Sequence, residues 1–174
     1  MLLAIVLCFG GMLVAKAAEP ATSKDGKMNA AQPAIVRDAM DAAEWAAKWL
    51  SSNGYKGDFT IESLKDIDRF FDEQAPGGKP KPGGLLSHHF GMQMFALGAY
   101  VGETIRRQRD GEWRGNDSDP EAEITLAVRL KSGVIFWPTQ RVLKRIMNGP
   151  EDAIYPYGVL ILRDSDKGAP KDSD

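Results

Sequence analysis

The chain holds one cysteine and two histidines among its 174 residues. A lone Cys8 cannot form an internal disulfide, and it supplies neither a Cys-x-x-Cys redox pair nor a thiolate metal set. The histidines, His88 and His89, are adjacent. Neighbouring side chains on a helix diverge by about 100°, so these two do not form a metal pair as histidines four apart would. No glycine-rich loop runs into Lys-Ser or Lys-Thr, which excludes a nucleotide P-loop. Ser87 adjoins His88, but the Gly-x-Ser-x-Gly elbow of a hydrolase is missing. The sequence therefore predicts no cofactor, no metal and no catalytic set. An excess of one charge is missing too. The balance of 22 Lys and Arg against 24 Asp and Glu leaves a formal charge of −2, which argues against nucleic-acid binding through bulk charge.

Long apolar runs are also scarce. Leu2 to Ala15 is the longest, and it falls short of the roughly 20 residues a membrane-spanning helix needs. It suits the core of a secretory signal, with cleavage expected after Ala17 in Ala15-Lys16-Ala17. No Lys or Arg precedes the run, and Leu7 before Cys8 argues against a lipoprotein. Cleavage would remove Cys8 and place the mature protein in the periplasm or outside the cell. There it would hold together by packing alone, with no stable membrane insertion.

What the chain does have is an ordinary globular composition, 43% hydrophobic and 26% charged, which fits one domain. Residues 18–31 are small and polar and read as a flexible lead-in. The folded domain is expected over 32–163, with 164–174 a charged, disordered tail. Pro33 opens a first helix with Ile35, Met40 (or Ala39), Ala43, Ala46 (or Ala47) and Leu50 at helical spacing, and Gly54 ends it. Ser63 is expected to cap a second helix bearing Leu64, Ile67, Phe70 and Phe71, with Asp66, Asp68, Asp72 and Glu73 facing water. The "APGGKPKPGG" stretch, residues 75–84, excludes a regular element and reads as an exposed, mobile connection.

The third helix, from about His88 after a Ser87 cap to Gln108, is apolar nearly all round, as a buried helix is. Gly91, Gly98 and Gly102 fall in one sector of it. Each costs about 1 kcal/mol relative to alanine, so another element is expected to press against that side. The period then changes from 3.6 to 2. "ITLAVRL", residues 124–130, and "VIFW", residues 134–137, read as a hairpin, with Trp113 on a short strand before them. Pro138 opens a fourth helix stopped by Gly149, and "YGVLILR", residues 157–163, reads as a final strand. The expected fold class is α+β: a single domain, its central buried helix accompanied by further helices packed on a small antiparallel sheet.

Glu103 is the sharpest candidate residue, because a carboxylate on a buried helix needs a partner. Arg106 and Arg107 follow at three and four residues, and Arg141 or Arg145 would reach it if the fourth helix packs near. An internal ion pair is the first reading; a ligand contact or a general acid or base are the alternatives. Arg106, Arg107, Arg109, Arg141, Lys144 and Arg145 would form a positive patch if their helices are neighbours, or else pair internally. "GNDSDPEAE", residues 115–123, clusters acids without the spacing of a calcium loop. Trp113 and Arg141 are candidate interface anchors, since Trp and Arg are favoured there.

Three segments, "SLKDIDRFFDE", "GAYVGETIRRQRDGEW" and "FWPTQRVLKRIMNGPED", together resemble a group of small bacterial domains of unknown function. Some of these are encoded near secretion systems and read as immunity proteins. The resemblance spans roughly residues 58–155; the group has no agreed reaction and no catalytic residues to carry over, so it supports the fold more than the function. The expected function is an exported, non-enzymatic protein-binding module, concretely a periplasmic immunity protein that neutralises a toxin. The alternative is a cell-envelope hydrolase using Glu103 and a histidine. These lie 15 positions apart, about 22 Å along a straight helix, so other elements would have to complete such a site. A small-molecule carrier is a third class.

Overall fold

The 19-residue helix α3, Phe90–Gln108, is the centre of the molecule, and every residue from Gln93 to Ile105 on it is buried. The structure is a computed structural model that describes residues 32–168. The expected signal peptide, the lead-in and the last six residues of the expected tail lie outside them. Around α3 stand α1 (Ala34–Ser52), α2 (Leu64–Gln74), α5 (Pro138–Asn148) and α6 (Ile154–Gly168), with a one-turn helix α4 (Ala122–Thr125). Three short strands, β1 (Glu112–Arg114), β2 (Ala127–Arg129) and β3 (Ile135–Phe136), form one antiparallel sheet in the order β1-β2-β3. The domain is α+β, as the change of period in the sequence implies. No described helix is long and apolar enough to cross a membrane.

Small residues let the helices come close. The buried face of α1 is Val36, Ala39, Ala43, Ala46, Ala47 and Leu50, and α3 packs against it and against α5. On α3, Gly98 and Gly102 explain themselves. A Cβ on Gly98 would lie 2.7 Å from the Thr139 Cα at the start of α5, and one on Gly102 would fall on the Trp113 ring and Pro138. Gly91 is different: it is exposed, with open space beside it. The bare sector is therefore two glycines long, and it receives the β3–α5 junction and the β1 tryptophan.

Several boundaries differ from expectation for local reasons. α3 begins at Phe90 because His89 adopts a left-handed conformation, φ 55°. Ser87 does not cap it; its hydroxyl turns back to the Gly84 carbonyl, 2.7 Å. Ser63 does not cap α2 either, since it closes a 3-10 turn (Ile61–Ser63) capped by Thr60. Within 75–84 a single 3-10 turn forms, Pro76–Gly78. The strand expected at 124–130 is shortened to β2. Its first residues are wound into α4, where Asp119 accepts from the Thr125 hydroxyl (2.5 Å) and the Glu121 amide (2.9 Å).

The segment 157–163, expected as a strand, is instead helical, and so are 164–168 of the expected tail. The Asp68 carboxylate accepts the Ile154 and Tyr155 amides at 2.7 and 2.9 Å and so caps the start of α6. Gly158 then lets the helix settle on Leu64 and Ile61 of the preceding turn and α2.

Candidate functional site

Glu103 lies in the last two turns of α3 with its side chain 2% exposed. Its two oxygens receive four donors. Arg106 grips it with both Nε (2.7 Å, to Oε2) and Nη2 (2.8 Å, to Oε1). Arg107 Nε donates to Oε1 at 2.8 Å and the Trp113 indole N–H to Oε2 at 3.0 Å. A carboxylate offers about four lone-pair directions, so all are spoken for. Burial alone would push this carboxyl up. The hydrogen bonds from Arg106, Arg107 and Trp113, with the nearby positive charge, outweigh burial and lower it to about 2.

The clasp follows from the local sequence. Spacings of three and four put both arginines over the glutamate. The glycine immediately before it, Gly102, clears the room into which the Trp113 ring slides from β1. Arg106 also donates to the Gly111 carbonyl at 3.1 Å, tying the end of α3 to the turn that leads into β1. Arg107 reaches across to Glu44 of α1 at 2.5 Å and lies 3.8 Å over the Phe59 ring.

Of the predicted residues, the structure brings Glu103, Arg106, Arg107 and Trp113 together. It does not bring Arg141 and Arg145 to them. α5 meets α3 at Gly98, and its arginines are taken up by other elements. Arg145, 4% exposed, pairs with Asp68 (3.0 Å) and Asp72 (2.6 Å) of α2. Arg141 pairs with Asp152 at 2.7 Å, donates to the Ala153 carbonyl at 3.0 Å and lies over the Tyr157 ring. Asp68, expected in water, is thus the joint between α2, α5 and α6. Trp113, expected at the surface as an anchor, is buried at 8% exposure. The expected positive patch is largely spent on internal pairs, since Arg109 also binds Asp166, 2.9 Å.

His88 and His89 are exposed before the start of α3, whereas Glu103 lies near its end. In the acidic loop, Asp117 accepts the Ala34 and Ile35 amides (2.8 and 2.9 Å) and caps α1, while Asp119 holds its own turn. Among the described residues, no group of three or more His, Cys, Asp or Glu is placed to hold a metal. Four surface depressions of about 390–490 Å³ are lined by residues other than Glu103.

Sequence reasoning missed the outward side of the sheet. Alternation along "VIFW" puts Phe136 inside and Ile135 and Trp137 outside, 48% and 44% exposed. The period-2 signal that identified the strand also assigns its faces, and reading it that far would have placed both residues. No protein-family model, no curated protein and no solved structure matches the chain.

Proposed function

We propose that this protein is an exported, non-enzymatic module that docks a protein partner, concretely a periplasmic immunity protein that blocks a secreted toxin. The observation that carries the docking reading is the pair of half-exposed tryptophans, Trp45 and Trp137, at 42% and 44% exposure. Tryptophan is enriched among the residues that dominate binding energy at interfaces. Trp45 stacks at 5.2 Å on Trp49, which holds it in place on α1. Trp137 stands at the β3–α5 junction, where its carbonyl accepts the Arg141 amide at 3.2 Å. An amphipathic anchor held before binding, as Trp45 is, loses little freedom on binding.

The closed state of Glu103 supports the non-enzymatic part. A general acid or base needs a carboxyl with a raised pKa and a free face toward substrate, and this one has neither. Export rests on the apolar run and the Ala15-Lys16-Ala17 site. Calorimetry of the mature protein against the toxin encoded in the adjacent gene tests the proposal. Saturable heat at one-to-one stoichiometry is expected; a silent titration contradicts it.

A further inference from the structure

We infer that the solvent-facing side of the three-stranded sheet binds an extended acidic segment of a protein partner. Trp137 and Ile135 supply the apolar contact, and Arg129 and Lys131 the charge contact. The inference rests on the docking reading above and gives it a place and a ligand chemistry.

The sheet has two unlike faces. Trp113, Val128 and Phe136 point inward and are buried. Register places Glu112 opposite Arg129 and Arg129 opposite Ile135, and all three are exposed. Trp137 is extended, φ −116° and ψ 91°, so it falls on the same side as Ile135, two residues earlier. The outward face is therefore an apolar column on β3 beside a charged column on β2 and β1. Nothing described in this chain covers the apolar column.

Charge decides what fits. The helix arginines Arg106, Arg107, Arg109, Arg141 and Arg145 all have carboxylate partners. On the sheet, Arg114 is paired with Glu112 at 2.8 Å. Arg129 and Lys131 form no ion pair among the described residues. Together with Asp110, Glu112 and Arg114 they line a depression of about 390 Å³. Two cations without ion pairs, on the face that also carries exposed Ile135 and Trp137, favour a partner that brings carboxylates and an apolar side chain together. An extended peptide repeats its side chains on one face about every 7 Å, a spacing that can follow the columns of a sheet. A nucleic acid fits less well, because two cations make no continuous track along a phosphate backbone.

Fluorescence anisotropy on the mature protein tests this with three labelled probes: a short peptide of alternating glutamate and leucine, its lysine–leucine counterpart, and a single-stranded oligonucleotide. The expected result is saturable binding of the acidic peptide alone. Arg129→Glu with Lys131→Glu, and separately Trp137→Ala, should each weaken it at least about tenfold. Met147→Ala, which removes a more exposed apolar side chain on α5, off the sheet, should change it less than about twofold. All these side chains are on the surface, and thermal melts confirm that the variants fold. Preference for the basic peptide or the oligonucleotide overturns the inference, and so does equal loss in the Met147 variant or no saturable binding. The toxin titration separates this from the docking reading. If the sheet variants bind toxin as the wild type does, docking stands and this surface falls.

Discussion

At Glu103 two effects oppose each other, and their magnitudes decide its role. Burying a carboxylate favours the neutral acid, whereas four donors, three of them charged, favour the anion. The donors win, and the folded-state value of about 2 lies below the ordinary 4.5. The sign follows. This group's contribution to stability is complete above about pH 4.5 and is lost as pH falls toward 2. Glu103→Gln should therefore cost about 2–4 kcal/mol at neutral pH, read from urea unfolding. The gap between variant and wild type should close as the pH falls from about 4.5 toward 2, because the unfolded chain's carboxyl then takes up a proton that the folded one does not accept until near pH 2. A constant gap down to pH 2 would contradict the clasp. The arginine partners of Glu103 were legible from spacing alone. Its tryptophan was not, because only the chain turn through Gly111 brings Trp113 back over Gly102.

At the scale of elements, the close approaches along α3 were half legible. A glycine sector signals that something presses there, but sequence does not say which glycines are used. Gly98→Ala forces a methyl into the Thr139 backbone and should cost about 1–3 kcal/mol. Gly91→Ala meets open space and should leave stability unchanged or raise it by under about 1 kcal/mol. Equal effects at the two sites in thermal melts would contradict this packing. The last element was misread for a related reason. An apolar run such as "YGVLIL" has the length of a buried strand and no polar break to show a helical period. Its conformation is decided by Asp68, 86 residues from Ile154 in sequence, which no local pattern contains. Asp68→Ala removes the cap of α6 and one partner of buried Arg145. A loss of about 2–4 kcal/mol is expected, with hydrogen exchange rising first in the amides at the start of α6. Unchanged protection there would argue against the cap.

For the whole molecule, chemistry and surface divide by location. The arginine clusters around α3 and α5 sit between helices and hold them together, while Arg129 and Lys131, which form no ion pair among the described residues, share the outer face of the sheet with exposed Trp137. An opposite division, with free acids in a cleft and a bland surface, would have favoured the hydrolase. The export reading predicts that protein recovered from the periplasm begins at Ala18 by N-terminal sequencing; a chain retaining Met1 would contradict it. The central claim is that the one acid on the buried helix is a structural anion with no proton to exchange near neutral pH. A carbon-13 NMR titration of the Glu103 side-chain carboxyl tests it most directly. A midpoint near pH 2 is predicted. A midpoint above the usual 4.5 would mean an unclasped or protonated acid, and would contradict both the architecture around α3 and the non-enzymatic reading.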